Sequence, residues 1–324
     1  MNRFRPGGVW GFILRRLLLG ILVLILVSIL VFLATQALPG DPARAILGRS
    51  ATPASLAALR RQLHLDQPVL EQYLTWVTGL LHGDLGRSLA AQEPVSTLLS
   101  PKLVNSAVLV ALAAVLSIPL AIAIGAWAAF RREKVFDTTS SNLLLLLAAL
   151  PEFVVALVLV ILFATTVSHV LPAISTVPPG SRPWNNWVAL VLPTATLVIA
   201  VAPYVARIMR ASMIEVLESD YVEMARLKGL SERTVLVRHA LPNALGPVFQ
   251  VIALNLAYLA GGIIVVEFVF NYSGIGSAIQ EAVTNHDLPV VQALAMLIAA
   301  VYVILNLLAD VATILVTPKL RTRL

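Results

Sequence analysis

Six long stretches of the sequence are almost free of charged residues, and this pattern limits what the chain can fold into. A helix needs about 20 mostly apolar residues to cross the hydrocarbon core of a bilayer. None of the six stretches alternates apolar and polar residues with period two, so helices are favoured over the strands of a barrel. The sequence therefore predicts an all-α, polytopic membrane protein with six transmembrane helices. The stretches are Leu17–Leu38, the run between Lys102 and Arg131, Asn142–Val167, Trp187–Ala206, Leu245–Phe270 and Leu288–Thr317.

The balance of apolar and charged residues supports a protein embedded in lipid. Apolar residues make up 59% of the 324 residues, charged residues make up 12%, and the mean hydropathy is +0.89. Soluble domains carry about 25% charged residues. The chain has no Cys, which excludes disulfides, thiolate metal sites and cysteine nucleophiles. The net charge of +6 is interpreted as Lys and Arg gathered on one side of a membrane, rather than as a surface for nucleic acid.

The distribution of Lys and Arg predicts the orientation. If the N-terminus is cytoplasmic, 16 of the 23 Lys and Arg residues fall on the cytoplasmic side and seven fall outside. Six of those seven lie in or beside one long loop, where charge has little influence on orientation. Both termini are therefore predicted to be cytoplasmic. The first run also resembles a signal peptide, but its 22 residues exceed the about 7–15 of a signal-peptide apolar region.

This threading divides the chain into four segments. The long loop should lie outside the membrane, and a charged connection at 207–244 should lie in the cytoplasm between spans four and five. The segments are 1–38 with the N-terminus and first span, 39–101 with the outer loop, 102–317 with a five-helix core that contains 207–244, and 318–324 with the cytoplasmic tail.

The loop 39–101 is too long for a simple turn. Thr52 or Ser55 is predicted to cap a first helix, and a second amphipathic stripe begins at Leu70. The stretch Gly83–Gly86 predicts the turn that ends this second helix. We interpret the loop as a small helical cap outside the membrane. A hairpin that lies on the lipid surface without a role is the alternative.

The stretch 220–243 holds the densest charge in the chain. Lys228 and Gly229 are typical of a helix end, with a cation near the carbonyl terminus and a residue suited to a left-handed turn. Ser231 is a good first residue for a second helix, and Pro242 is expected to stop it. The sequence thus predicts a helix, a glycine turn and a short helix, here called the elbow (residues 220–242). Apolar residues at helical spacing lead into it at Ile214, Leu217, Tyr221, Met224 and Ala225.

Two roles are open for the elbow. It can rest on lipid headgroups as an amphipathic segment, or it can enter a groove in another protein. The acids Asp220, Glu223 and Glu232 would be repelled by anionic lipid. A turn that depends on one glycine also suits an elbow held at a fixed angle. Both features favour a protein partner.

The elbow resembles the "EAA" loop of the membrane subunits of bacterial binding-protein-dependent ABC importers. In that family Glu-Ala-Ala is followed by Gly and then by Ile-x-Leu-Pro. This chain has Met224 in place of Ala and His239 in place of Ile, whereas the spacing of Gly, Leu and Pro is intact. The matching residues are Glu223-Met224-Ala225, Gly229, His239 and Leu241-Pro242.

Other stretches resemble the dipeptide, oligopeptide and nickel class of these importers, and they cover nearly the whole chain. The long loop after span one is similar to that of the B-type of the two permeases in such systems. The resembling stretches are Leu38-Pro39-Gly40-Asp41-Pro42, Leu65-Asp66-Gln67-Pro68, Gln72-Tyr73, Gly83 to Ser88, Pro94-Val95, Gly274-Ile275-Gly276, Asn306 to Asp310, Pro318 and Arg321.

The resemblance implies a permease subunit of the bacterial inner membrane that forms half of a translocation path for peptides. It implies as partners a second, similar permease, cytoplasmic ATPase subunits that receive the elbow, and an extracytoplasmic binding protein. Nickel chelates, glutathione and short oligosaccharides remain open as substrates. The residues that the resemblance assigns to ATPase coupling are Asp220, Glu223, Ala225, Lys228, Gly229, Arg233, His239, Leu241 and Pro242.

Three acidic residues lie in the predicted spans. A charge in hydrocarbon costs about 2.5–3.5 kcal/mol, so Glu152, in the middle of span three, should face a partner or a wet cavity. Contact with the amino group of a peptide and a hydrogen bond to the second permease are both open. Glu267 reaches the membrane interface or lines an outer gate. Asp310 is expected to pair with a base such as Arg207 or with a neighbouring helix end.

The sequence carries no recognisable catalytic motif. The patterns Gly-x4-Gly-Lys-Ser/Thr, His-Glu-x-x-His and Gly-x-Ser-x-Gly are absent, so no nucleotide site, zinc site or hydrolase elbow is predicted. We expect no catalytic residue, metal or cofactor, and ATP hydrolysis by separate subunits. A secondary transporter driven by an ion gradient would show inverted repeats and broken helices, and no convincing repeat is visible. An intramembrane hydrolase would need a nucleophile and a base, and no such pair is apparent.

Overall fold

The chain folds almost wholly into α-helices in the computed structural model, which describes residues 8–37, 51–62, 66–178 and 180–316. Within these ranges there is no strand, apart from an isolated bridge between Arg87 and Pro94. The motif at Leu38–Pro42 and the chain end with Pro318 and Arg321 lie outside the described residues. The helices are α1 Gly8–Ala37, α2 Pro53–Gln62, α3 Val69–Leu81, α4 Val95–Phe130, α5 Val135–Ala149, α6 Glu152–Val160, α7 Trp187–Leu217, α8 Asp220–Leu227, α9 Glu232–Thr234, α10 Leu241–Val269, α11 Ile275–Thr284 and α12 Leu288–Val316.

Several helices are long and apolar enough to cross a membrane. Four candidates are Gly11–Ala37, Val95–Phe130, Pro183–Leu217 and Leu288–Leu308, and α5 with α6 makes a bent fifth. These segments coincide with five of the six predicted runs, so the all-α, polytopic prediction is confirmed. The remaining run lies in α10, a helix of 29 residues. The number of six spans stays a prediction.

The third predicted run is not one continuous helix. The structure ends α5 at Ala149, begins α6 at Glu152 and bends the pair by 103°. Leu150 has an extended backbone with φ −83° and ψ 130°. This is expected before Pro151, because the proline ring disfavours helical backbone at the preceding residue. Pro151 therefore breaks the helix.

The described residues divide into two compact units. The larger unit contains the described parts of Met1–Leu17, Ala107–Tyr272 and Ile304–Leu324. The smaller unit contains the described parts of Leu18–Ser106 and Ser273–Val303.

The core of the larger unit forms around α7. This helix packs against α5, α6 and α10. It also meets α4 closely, since a Cβ placed on Gly125 of α4 would lie 2.4 Å from the carbonyl oxygen of Ala206. A glycine at that position therefore allows the two backbones to approach closely.

In the smaller unit, the described part of the loop 39–101 is helical, and its helix α3 packs on α1. Ser55 N donates to Thr52 Oγ1 at 3.2 Å and Thr52 N donates to Ser55 Oγ at 2.9 Å, which confirms the predicted cap of α2. The ring of Tyr73 in α3 lies edge-on to Phe32 of α1 at 5.4 Å between centroids. The Tyr73 hydroxyl is also 2.9 Å from Ser28 Oγ. These contacts pack α3 against α1, and the choice between a cap outside the membrane and a hairpin on the lipid surface stays a prediction.

The end of the loop is held by a buried carboxylate in the same unit. Gly83 and Gly86 have φ of +81° and +84°, which confirms the predicted turn after α3. Asp287, only 3% exposed, accepts a hydrogen bond from Ser88 Oγ and one from Leu89 N at 3.0 Å. The loop is therefore fastened directly to the start of α12.

Candidate functional site

The first half of the elbow is a short helix that ends at a glycine, as predicted. Gly229 has φ +77°, in the left-handed region that favours glycine. Gly229 N donates to Arg226 O at 2.9 Å, and Leu230 N donates to Ala225 O at 3.3 Å. These two bonds are the pair that closes a Schellman motif. The turn therefore has a defined geometry rather than an arbitrary loop path.

The second half of the elbow begins as predicted but ends differently. Ser231 Oγ accepts a hydrogen bond from Thr234 N at 3.4 Å and caps α9. A π-helical turn over Val235–Ala240 then leads directly into α10 at Leu241. The prediction that Pro242 stops the second helix is wrong. Pro242 lies in the first turn of α10, directly after the π-helical turn, and the chain stays helical through it.

A small apolar cluster holds the two halves of the elbow together. Val222 and Val235 are fully buried and Ala225 is 7% exposed, and they pack with Val216 and Leu217. The ion pair between Arg226 Nε and Glu232 Oε1, at 3.0 Å, joins the two halves on the surface.

The predicted apolar stripe is partly wrong. Tyr221 and Met224 are 45% and 54% exposed, whereas Val222 is buried in their place. Because Met224 is exposed, the larger side chain at this position of the EAA pattern meets no packing constraint within the chain.

The outer surface of the elbow combines exposed apolar and charged side chains. Leu227 is 75% exposed, and Val237 is 55% exposed. The candidate coupling residues Asp220, Glu223, Lys228 and Arg233 are exposed, Pro242 is exposed, and His239 and Leu241 are half-buried. Apolar residues among charges of both signs are typical of a surface that docks in a protein groove.

Two ion pairs join the chain that leads into the elbow to the first turn of α5 and to the connection before it. Arg132 pairs with Glu218, directly before the elbow. The guanidinium group of Arg210 in α7 donates two hydrogen bonds to the carboxylate of Asp137, from Nε to Oδ1 at 2.5 Å and from Nη2 to Oδ2 at 2.7 Å. Asp137 is 3% exposed. Sequence reasoning missed both pairs, because each joins residues more than 70 positions apart and no local signal marks the partner.

The three acidic residues of the predicted spans lie in different surroundings. Glu152 is half-buried at the break between α5 and α6 and lines a cavity of about 250 Å³. Glu267 is fully buried within the larger unit, so in this conformation it is not available to a passing substrate. Asp310 pairs with Arg16 Nε at 3.0 Å, rather than with the suggested Arg207. The structure therefore brings neither Glu267 nor Asp310 to the cavity.

Comparison with known proteins identifies the family. Residues 121–322 match the inner membrane component of binding-protein-dependent transport systems, and residues 9–112 match the N-terminal part of such membrane components. The chain belongs to this family. It is therefore a multi-pass inner-membrane permease, in agreement with the apolar helices described above.

The permease is similar over nearly its whole length to several named relatives. A peptide ABC transporter permease of Sinorhizobium fredii is 36% identical over 96% of this chain and 99% of the relative. A peptide transport system permease of Brucella abortus is 38% identical over 95% of this chain and 98% of the relative. The glutathione transport system permease of Salmonella choleraesuis is 35% identical over 96% of this chain and 99% of the relative.

Proposed function

We propose that the permease forms half of the translocation path of an ATP-driven peptide importer, and that its elbow transmits the motion of cytoplasmic ATPase subunits. The observation that supports this most directly is the closed Schellman turn at Gly229, which fixes two short helices at one angle. Relatives named as peptide permeases support peptide as the substrate class.

The proposed topology has six spans with both termini in the cytoplasm. The segment 39–101 lies outside, where an extracytoplasmic binding protein delivers substrate. The core 102–317 includes the cytoplasmic connection 207–244, and 318–324 forms the tail. A second, homologous permease supplies the other half of the path, with this chain as the B-type subunit. Hydrolysis of ATP belongs to the separate ATPase subunits, and the permease itself has no catalytic residue.

In the proposed coupling, the exposed side chains of the elbow enter a cleft in the ATPase. Asp220, Glu223, Lys228 and Arg233 lie on the surface where they can pair with charges of the partner. Ala225 does not touch the partner but stabilises the elbow, because its small side chain packs in the apolar cluster that holds the two halves together. His239, Leu241 and Pro242 carry the connection into α10.

Glutathione is a second candidate substrate, because one relative of similar identity is named for it. Glutathione is itself a short peptide, so the two substrates need no different machinery. Nickel chelates and oligosaccharides have no support of this kind. An ion-driven transporter would explain the broken helix at Pro151, but it would give the elbow no function.

The test is co-purification of the permease with its ATPase subunits in mild detergent, together with ATP-dependent peptide uptake after reconstitution. Leu227→Asp places a charge on the most exposed apolar residue of the elbow. We expect it to lower the recovery of ATPase about ten-fold, as for an interface hot spot. Leu81→Asp is the matched control, since Leu81 is 80% exposed on α3 in the outer loop. Equal recovery of ATPase with both variants and the wild type would contradict the role of the elbow.

A further inference from the structure

The cavity at the broken helix has features of a binding site. It lies in the larger unit, where α5 ends at Ala149 and α6 begins at Glu152 after a bend of 103°. Its volume is about 250 Å³, just below the about 300–1,000 Å³ of clefts that hold drug-sized ligands. The cavity can therefore hold one end of a peptide but not a whole oligopeptide. Its lining consists of Leu147 to Glu152, Ala200, Tyr204 and Tyr258.

One oxygen of the Glu152 carboxylate is free to accept a hydrogen bond. Its Oε1 atom is buried and has no hydrogen-bond partner. No Lys or Arg in the part of the chain that the structure describes pairs with it. By contrast, Asp137 is paired with Arg210, and Asp310 is paired with Arg16. Because a carboxylate in a span is costly without a cation, we expect the counter-ion of Glu152 to come from outside the chain.

One further part of the cavity wall carries partial negative charge. The carboxyl end of α5 carries partial negative charge and lies at this cavity, where Leu147 O accepts a hydrogen bond from Leu150 N at 3.3 Å. Tyr204 donates a hydrogen bond to the carbonyl of Ala148 at 3.2 Å. The hydroxyl of Tyr258 is close enough to Glu152 to interact with its carboxylate. Tyrosine faces also attract cations.

We propose that this cavity binds the primary ammonium group at the N-terminus of a peptide in transit, with Glu152 as its counter-ion. The proposal rests on the proposed function as a peptide permease. An ammonium group matches the site because it presents three donors to the Glu152 carboxylate and neighbouring acceptors. Tyr204 and Tyr258 border the group and limit its position.

The experiment measures binding to the intact complex of both permeases and the ATPases, purified without the binding protein. The probes are radiolabelled trialanine and its N-acetyl form, which lacks the ammonium group. We expect the wild-type complex to bind trialanine about ten-fold more tightly than N-acetyl-trialanine, as for a hydrogen-bonded charge pair. Glu152→Gln should remove this preference by weakening trialanine binding alone, whereas Glu152→Asp should keep part of it.

A matched control separates recognition from general damage. Asp310→Asn removes another carboxylate of a spanning helix, and it should leave the ratio of the two affinities unchanged. Size-exclusion chromatography of each variant checks that the complex is assembled, and Tyr258→Phe offers a milder change that should reduce the preference without removing the charge.

The proposal is overturned if wild-type complex binds both probes equally or binds neither. It is also overturned if Glu152→Gln weakens both probes together, since Glu152 would then serve contact with the second permease. Retention of radioactive sodium by the wild type but not by Glu152→Gln would assign the cavity to an alkali cation instead. ATP-dependent uptake of trialanine by the wild-type system is measured in parallel. Its presence upholds the proposed function even where the binding result rejects this site.

Discussion

At the scale of single residues, the elbow depends on the backbone freedom of Gly229. No atom lies within 4 Å of a Cβ built at this glycine, and its φ is +77°. A substitution there is therefore opposed by backbone strain alone, without any steric clash. The sequence could predict this residue and the Ser231 cap because both signals are local. It could not predict that Val222 rather than Met224 is buried, or that Asp310 pairs with Arg16, because those facts depend on distant parts of the chain.

Gly229→Val should uncouple transport from ATP hydrolysis. Left-handed backbone costs about 1–2 kcal/mol for a residue with a Cβ, and a β-branched side chain suffers most. We expect the turn to open and peptide uptake per ATP to fall at least several-fold in the reconstituted complex. Gly229→Asn is the control, since asparagine tolerates this conformation and also ends helices. If the valine variant retained the wild-type ratio of uptake to hydrolysis, a rigid turn would not be needed.

Arg210→Ala should destabilise the permease more than a change at the exposed neighbouring pair. Loss of one partner from a buried ion pair costs about 3–5 kcal/mol, and the value here should be smaller because the Arg210 side chain is 31% exposed. Arg132→Ala should cost no more than about 1 kcal/mol, because both side chains of the Arg132–Glu218 pair are about half exposed, at 46% and 62%.

The thermal stability of detergent-solubilised complex, followed by size-exclusion chromatography after heating, compares these two variants. The double variant Arg210→Met with Asp137→Leu should recover part of the loss, because it leaves no buried charge unpaired. Equal melting temperatures for Arg210→Ala and Arg132→Ala would show that burial of Asp137 does not matter.

At the scale of helices, charge-free runs predicted where helices lie better than where they end. α7 continues to Leu217, although the predicted span ends at Ala206. The end of an apolar run therefore does not mark the end of the helix. In the sequence, Pro151 is the only sign of the break at Leu150. A proline predicts that a helix is disturbed, but it does not predict the angle of the bend. The cavity beside it could not be predicted, because Tyr204 and Tyr258 come from α7 and α10.

The crossing of α4 and α7 should be intolerant of any side chain at Gly125. A Cβ there would lie 2.4 Å from the carbonyl oxygen of Ala206 and 2.7 Å from Met209 Cβ. Gly125→Ala should therefore force the two helices apart and lower the melting temperature of the complex by several degrees, as expected for an overpacked core.

Gly11→Ala on α1 is the matched control, because a Cβ at Gly11 meets no atom within 4 Å. Alanine in an exposed helix is favoured over glycine by roughly 0.5–1 kcal/mol, so this variant should be as stable as the wild type or more so. A stable Gly125→Ala complex would contradict the close approach of the two helices.

At the scale of the whole molecule, the orientation rests on charge distribution, and it can be tested because the chain has no Cys. Leu70→Cys and Leu227→Cys each introduce one thiol at a side chain that is at least two-thirds exposed. In intact cells a membrane-impermeant maleimide should label residue 70 alone. In inverted vesicles stripped of ATPase it should label residue 227 alone. The reverse labelling would overturn the proposed topology.

In the proposed coupling, the direct continuation of the elbow into α10 sets the direction in which force would travel. Within the elbow Gly229 provides a bend, and after this bend the backbone stays helical from Glu232 to Val269. α10 alone has 29 residues, with Pro247 inside it, and its length along the axis is about 44 Å. A tilt of about 10° at its base would displace the far end by about 8 Å, given this length. In the proposed coupling, a small motion of the elbow would therefore be enlarged at the opposite end of α10.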